Sequence, residues 1–400
     1  MASMSRAYSR PLIALLACLG VLFALAPVAQ AESGTLTWTS RTASVAAKWD
    51  GIAYGNGVFV AVSNLDSGTS YVMTSPDGVS WTTQAPTPAG EYRDVTFGGG
   101  KFVAVGQTGK AMTSTDGITW TSRTINVANN YYSVAYGAGI FVAVGGPSTQ
   151  IATSPDGITW TTNPYTGGSN LKSVAYGNGV FAAVGSNTGT PQTLWSADGL
   201  TWTSNGAVDT SDWYGVDYGG GLFVAVASTG TNRVMTSTDG MNWTSRSAST
   251  AAPWRSVAYG NGIWTAVAGD GDGVPTGGAV MTSTDGITWT TGSPATTTNW
   301  RDVTYANGIF VAVSLSGQVM TAPAQLSSSG PDTVIRQGLP LGSDGTCTNL
   351  QDSVYAYGTG VTGGWQRAWE PWPNAGAGGW ACIRALVNSG GSWTVNNRQL

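Results

Sequence analysis

Apolar and polar positions alternate over short runs along most of this chain, and the same arrangement returns about every 40 residues. Each return contains a run of large and small apolar residues, such as 102–105 (Phe-Val-Ala-Val), set between glycine-containing turns. Alternation with a period of two predicts β-strands, and runs that are apolar throughout predict strands covered on both faces. The pattern therefore predicts an all-β repeat protein.

Two kinds of turn divide each repeat into four short strands. The first and second strands are joined by dipeptides that accept positive φ, at Asn56-Gly57, Gly99-Gly100, Ala138-Gly139, Asn178-Gly179, Gly220-Gly221, Asn261-Gly262 and Asn307-Gly308. The third and fourth strands are joined through Asp-Gly at Asp77-Gly78, Asp116-Gly117, Asp156-Gly157, Asp198-Gly199, Asp239-Gly240 and Asp285-Gly286. Four strands in about 40 residues are typical of one propeller blade.

A tryptophan marks the fourth strand of each repeat, at Trp38, Trp81, Trp120, Trp160, Trp202, Trp243 and Trp289. Trp38 has no blade before it, whereas the final unit, 300–322, has three strands and no fourth. We expect the N-terminal strand to pair with residues 319–321 and complete the last blade, because closure removes exposed strand edges. The sequence thus predicts a seven-bladed β-propeller over residues 32–323.

The Ser-x-Asp-Gly-x-x-Trp turns resemble the Asp-box (BNR-type) repeats of the sialidase-like β-propeller superfamily. One copy is residues 154–160, and the turns have one residue fewer between Asp and Gly than the usual box. The resemblance implies that the Asp caps backbone amides and that the Trp packs between blades. The Arg-Ile-Pro motif of sialidases is missing, and Glu91 is the only glutamate within residues 34–323. The Tyr-Glu pair of that family therefore has no clear counterpart.

The two ends of the chain have different compositions from the repeats. Residues 1–31 have the charged start, apolar run and small-residue exit of a secretory signal peptide, which predicts an extracellular or periplasmic protein without a membrane span. A Ser- and Gly-rich linker over 324–331 precedes a tryptophan-rich domain of short strands and loops, 332–400. Cys347 and Cys382 are predicted to form a disulfide that stabilises this small domain.

Equivalent positions at the start of the innermost strands are predicted to encircle the mouth of the propeller channel. The first position holds Trp49, Tyr92, Tyr131, Leu171, Trp213, Trp254 and Trp300. The next position holds Asp50, Arg93, Tyr132, Lys172, Tyr214, Arg255 and Arg301. The predicted ligand-binding site comprises the six aromatic residues of the first position with Asp50, Arg93, Arg255 and Arg301. The alternative is that these aromatic side chains pack between adjacent blades.

Three functions fit this predicted mouth. Aromatic faces beside hydrogen-bonding groups suit sugars, and an arc of three arginines suits a carboxylate or sulfate, which favours a secreted, non-catalytic protein that binds glycans or another surface polymer. A protein-interaction scaffold or assembly factor with an acidic partner is the first alternative, since similar repeats occur in propellers of the photosystem assembly factor type. A glycoside hydrolase or polysaccharide lyase is the second. It would draw a carboxylate pair from Asp50, Glu91, Asp94 and Asp302, of which none is singled out.

Composition narrows the remaining possibilities. The chain has no histidine, which excludes histidine-based triads and histidine-ligated metals. Charged residues make up 10% of the chain and the net charge is −4, which argues against a nucleic-acid partner. We expect no cofactor, no metal and a monomeric protein.

Overall fold

The computed structural model describes residues 34–328, apart from short gaps at 65–68, 85–87, 167–169, 188–189, 206–207 and 270–277. In the C-terminal region it describes three strands that pair antiparallel, Thr333–Ile335, Cys382–Ser389 and Ser392–Gln399. The predicted signal peptide, the predicted disulfide between Cys347 and Cys382, and most of the tryptophan-rich region lie outside the described residues.

Residues 34–328 form seven four-stranded antiparallel sheets, one for each blade, numbered here in chain order. The innermost strands are Trp49–Gly55, Tyr92–Gly98, Asn130–Gly137, Leu171–Gly177, Trp213–Gly219, Trp254–Gly260 and Trp300–Ala306. The second strands are Val58–Ser63, Lys101–Gly106, Ile140–Gly146, Val180–Asn187, Leu222–Ala227, Ile263–Ala268 and Ile309–Ser314. The third strands are Val72–Ser75, Lys110–Ser114, Gln150–Ser154, Thr190–Ser196, Arg233–Ser237, Val280–Ser283 and Gln318–Pro323. The protein is an all-β, seven-bladed β-propeller, as predicted.

The outermost strands show how the circle of blades closes. Blades 1 to 6 end with Thr82–Gln84, Thr121–Thr124, Thr161–Pro164, Thr203–Ser204, Thr244–Ser247 and Thr290–Gly292, whereas blade 7 takes Thr39–Thr42 from the N-terminal segment. In blade 7, Ser40 lies opposite Met320 and Arg41 lies opposite Val319. A short pair, Gly34–Thr35 with Ser327–Ser328, adds a second link between the two ends. The predicted closure by the N-terminal strand is confirmed.

Hydrogen bonds to the aspartate side chain stabilise the Asp-Gly turns. In blade 1, Asp77 Oδ1 accepts from the backbone N–H groups of Val79 and Ser80, each at 2.8 Å, and from Ser75 Oγ at 2.9 Å. These bonds, the one from Ser80 first, lower the pKa of Asp77 to about 2. Trp81 Nε1 donates to Gly78 O at 3.0 Å. The aspartate thus caps backbone amides, and the same bonding recurs in the other five turns.

The hydrophobic core lies between adjacent blades rather than within one sheet. A representative cluster joins Val60 and Val62 of blade 1 to Tyr92, Phe102 and Trp120 of blade 2, and these side chains are at most 8% exposed. Because each sheet packs on the next around the whole circle, every blade depends on both of its neighbours.

Glycine ends six of the seven innermost strands because an aromatic side chain of the next blade lies over it. A Cβ atom built on Gly137 would stand 2.0 Å from Tyr176 Cγ, and one on Gly177 would stand 2.0 Å from Tyr218 Cγ. Blade 7 has Ala306 at this position. Neighbouring innermost strands therefore pack closely against one another.

Candidate functional site

Each innermost strand begins with a β-bulge, and the bulges create the site. In every blade the register shifts by one residue near the start of the strand, as between Trp49 and Gly51 or between Trp254 and Ser256. A bulge leaves the extra residue out of the ladder and redirects its side chain. The seven bulged residues, which we call the mouth ring, are Asp50, Arg93, Tyr132, Lys172, Tyr214, Arg255 and Arg301.

All seven residues of the mouth ring line one cavity of about 460 Å³ at the centre of the propeller. The cavity continues past the residues that follow each bulge, among them Asp94, Ser133, Ser256 and Asp302. The ring holds four basic side chains and one carboxylate, although the whole chain has a net charge of −4. Positive charge is therefore concentrated where the channel opens.

The structure does not place the six predicted aromatic residues in this cavity. The side chains of Trp49, Tyr92, Tyr131, Trp213, Trp254 and Trp300 are 0–1% exposed and belong to the clusters between blades. The first residue of each strand keeps its place in the ladder and packs between blades, whereas the bulge turns the side chain of the next residue into the cavity. As placed, these six residues offer no face to a ligand, and the structure corresponds to the alternative of packing between blades.

Two of the three arginines in the predicted arc, Arg93 and Arg301, hold a carboxylate, whereas the third, Arg255, lies against Tyr214. Asp50 Oδ2 lies 2.9 Å from Arg93 Nη1, and Asp50 Oδ1 accepts from Arg301 Nε. Asp50 is only 4% exposed, whereas the arginine side chains are 14% and 21% exposed. Glu91 lies 3.6 Å from Arg93 at the edge of this group. Three consecutive blades, 7, 1 and 2, thus join their innermost strands through one buried charge cluster.

The opposite arc pairs basic groups with tyrosine faces. Lys172 Nζ lies 4.1 Å from the ring centroid of Tyr132 and 5.5 Å from that of Tyr214. The guanidinium of Arg255 lies 4.0 Å from the Tyr214 centroid, and its Nε donates to Gly269 O at 2.7 Å. Burial, and then the charges of Arg301 and the other ring arginines, lower the pKa of Lys172 to about 8.

Deeper in the channel, three partly buried carboxyl groups accept backbone hydrogen bonds from the adjacent blade. Asp94 accepts from Val134 N at 2.8 Å, Asp217 from Tyr259 N at 3.0 Å and Asp302 from Ile52 N at 2.9 Å. We call these three residues the carboxyl belt. Burial raises the pKa of Asp217 to about 6. Burial first, and then a neighbouring carboxylate, also raise the pKa values of Asp94 and Asp302.

Serine hydroxyls at equivalent positions make the same connection between blades. Ser133 Oγ accepts from Val174 N at 3.3 Å, and Ser173 Oγ accepts from Val216 N at 3.2 Å. Ser256 Oγ donates to Asp302 Oδ1 at 2.7 Å and lies 3.3 Å from Val303 N. The polar groups below the mouth ring therefore hold neighbouring innermost strands together. Among the described residues, no three His, Cys, Asp or Glu side chains are grouped so as to hold a metal ion.

Of the ten predicted binding residues, Asp50, Arg93, Arg255 and Arg301 line the cavity. Tyr132, Lys172 and Tyr214 line it too, although the predicted site omitted them. The sequence did contain a signal that the first position of each strand is buried. Leu171 occupies this position in blade 4, and an aliphatic residue among aromatic ones indicates a position that faces the core. Asp217 was missed altogether. Its signal is an acidic residue at a strand position that holds alanine or threonine in every other blade.

Comparison with known families supports the propeller fold. The family model of the DUF6242 β-propeller domain matches residues 32–166, which is less than half of the chain. No curated protein matches the chain. Within the part of the chain that the structure describes, no helix has the length and apolar character needed to cross a membrane.

Several solved propellers are similar to this chain in fold. A catalytically inactive virginiamycin B lyase from Staphylococcus aureus with quinupristin has a TM-score of 0.62 at 10% identity, over 72% of this chain and 99% of that one. YCF48 from Cyanidioschyzon merolae has a TM-score of 0.55 at 14% identity, over 72% and 98%. YCF48 bound to D1 peptide has the same TM-score at 15% identity, over 72% and 96%. Identities this low show the fold alone.

Proposed function

We propose that this chain is an exported, non-catalytic binding protein that holds an acidic glycan at the mouth of its propeller channel. The observation that carries the proposal is the mouth ring, in which Arg93, Lys172, Arg255 and Arg301 surround one cavity of about 460 Å³. The mouth ring has four basic groups against one carboxylate, and an excess of one sign of charge at a concave site attracts ligands of the opposite sign. The rest of the chain is acidic overall, so this positive charge is local to the channel.

Charge rather than stacking is the proposed basis of recognition. The six aromatic residues first expected to stack on sugar rings are buried, and the faces of Tyr132 and Tyr214 are approached by Lys172 and Arg255. The bonds of Arg93 and Arg301 to Asp50 support a carboxylate-bearing ligand, since a carboxylate matches arginine donors. Uronic-acid or sulfated glycans would bring such groups to the mouth, whereas neutral sugars would not.

A protein-interaction scaffold that binds an acidic segment is the second candidate. The observation that favours it is the same loss of stacking surfaces, because charge alone does not distinguish a uronate from an aspartate or glutamate side chain. The solved YCF48 structure with D1 peptide shares this fold and is described as a peptide complex. We infer that a partner of this kind would meet the mouth ring through carboxylates.

The carboxylates around the channel have structural bonds, which is why we propose binding rather than hydrolysis. Asp50 is held by two arginines, and Asp302 accepts from Ile52 N, Val303 N and Ser256 Oγ. We also propose that the repeats are of the Asp-box (BNR) type and that residues 1–31 direct export. The turn geometry of Asp77 and Trp81 supports the first of these inferences.

Isothermal titration with matched oligomers tests the proposal. An oligogalacturonate is titrated into the protein beside a neutral oligosaccharide of the same length and an oligoglutamate peptide. Binding of the uronate with no binding of the neutral sugar supports the proposal. Binding of the peptide alone supports the second candidate, a protein-interaction scaffold, instead. If none of the three binds at low ionic strength, the mouth ring is not a polyanion site and the proposal fails.

A further inference from the structure

Lys172 is the one basic residue of the mouth ring whose nitrogen can act as a nucleophile near neutral pH. Its Nζ donates to Asn170 Oδ1 at 2.9 Å and lies against the face of Tyr132. Asn170 itself has φ of 98°, a conformation that non-glycine residues adopt rarely. The side chain of Lys172 is therefore held by a specific local structure, and it lines the central cavity.

The surroundings of Lys172 disfavour its ammonium form. Burial removes the hydration of the Nζ ammonium group, and Arg301, Arg255 and Arg93 repel its positive charge. Asp212 opposes these effects by attracting the ammonium group, and together they lower the pKa of Lys172 to about 8. The Tyr132 face also favours a cation at this position. Desolvation and neighbouring cations are the two ways in which proteins activate lysine amines.

We propose that Lys172 is a covalent capture site, which forms a reversible imine with the carbonyl group of a small acidic ligand bound in the mouth ring. The Nζ lone pair attacks the carbonyl carbon and gives a carbinolamine. A proton moves from nitrogen to oxygen, water leaves, and a C=N bond replaces the C=O bond. Hydrolysis of the imine returns the free amine and the carbonyl compound. The step consumes no oxidant or reductant.

The inference that the ligand is acidic rests on the function proposed above for the mouth ring. The positive charge of Arg255 and Arg301 would hold a carboxylate beside Lys172, which places a 2-oxo acid or an aldehyde acid near the nitrogen. The reducing end of an acidic glycan combines an aldehyde in its open form with nearby carboxylates. Such ligands therefore carry both a carbonyl group for Lys172 and a carboxylate for the arginines.

Reductive trapping tests the proposal on the intact protein. The chain has four lysines, Lys48, Lys101, Lys110 and Lys172, so peptide mass spectrometry can follow each one separately. The protein is incubated at pH 7 with cyanoborohydride and either glyoxylate or the neutral glycolaldehyde. Lys48 is exposed and serves as the internal reference. A pKa of about 8 gives Lys172 about 300 times the free-amine fraction of an ordinary lysine at this pH.

We expect modification of Lys172 at least about tenfold faster than Lys48 with both aldehydes, because lower intrinsic nucleophilicity and partial burial reduce the free-amine advantage. The rate ratio should decline as the pH rises towards 10. Lys172→Arg should keep the melting temperature and lose the adduct. Equal rates at Lys172 and Lys48 with both aldehydes would overturn the proposal.

The choice of aldehyde separates this inference from the proposed function. A rate ratio several times higher with glyoxylate than with glycolaldehyde, and reduced by 1 M salt, supports an acidic ligand in the mouth ring. The same fast modification with both aldehydes supports imine formation at Lys172 but contradicts its acidic-ligand clause and the anion binding proposed for the mouth.

Discussion

Removal of the N-terminal strand should open the propeller. A chain that begins at Ala43 loses the four-residue pairing with Gln318–Pro323 and the bond from Arg41 Nε to Thr321 Oγ1 at 2.8 Å. It also loses Leu36 and Trp38, which are 2% and 8% exposed in the cluster between blades 6 and 7. Truncation of a buried leucine costs about 2–5 kcal/mol and that of a tryptophan about 3–5 kcal/mol. The combined loss of about 5–10 kcal/mol is comparable with a total stability of about 5–15 kcal/mol.

Urea unfolding followed by tryptophan fluorescence measures this loss. The matched control is Trp120→Ala in blade 2, since Trp120 is also 8% exposed and its removal leaves the circle closed. We expect the control to lower the unfolding midpoint moderately, and the truncated chain to unfold at far lower urea or to aggregate through its open strand edge. A truncated chain with the midpoint of the full-length protein would refute closure by the N-terminal strand.

Four further substitutions test the contacts between blades and the bonds within their turns. Gly137→Ala should lower the free energy of unfolding by about 1–3 kcal/mol, because its Cβ would stand 2.0 Å from Tyr176 Cγ, whereas Ala306→Gly at the equivalent position should cost about 1 kcal/mol or less. Asp116→Ala should cost about 1–3 kcal/mol in urea unfolding because two backbone N–H groups lose their acceptor, and an unchanged midpoint would contradict its capping role. The free energy of unfolding should fall as the pH rises from about 4 to 7, because folding raises the pKa of Asp217 from its usual 3.8 to about 6, so that only the folded state keeps the proton in this interval. Asp217→Asn should reduce this fall by about 3 kcal/mol, and an unchanged pH profile would show that Asp217 is not its source.

The architecture could be predicted from the sequence because its signals are local and repeated. Each Asn-Gly or Asp-Gly turn specifies a hairpin by the φ values it accepts, and seven repeats confirm one another. Closure could be predicted by counting strands. The strand that contains Trp38 has no blade before it, and the last unit lacks a fourth strand. That long-range pairing needed no knowledge of side-chain packing.

The site was predicted less completely because one bulge per strand decides which side chains face the channel. The sequence placed both Trp254 and Arg255 at the mouth, whereas the structure buries the first and exposes the second to the cavity. The bulge separates such neighbours, because Trp254 stays in the ladder and Arg255 does not. The role of Asp217 depends on an amide of the next blade, Tyr259 N, which no local pattern reveals.

The most direct test of the proposed function compares two arginine substitutions in the same titration. Arg255→Gln removes a positive charge from the mouth ring, and Arg123→Gln removes one from an outer strand, where Arg123 Nε donates to Thr113 Oγ1 at 3.1 Å. Both change the net charge equally, so a general electrostatic effect would weaken binding of oligogalacturonate equally. We predict that Arg255→Gln lowers the affinity about tenfold or more and that Arg123→Gln leaves it within about twofold. Equal affinities for the two variants would contradict binding at the channel mouth.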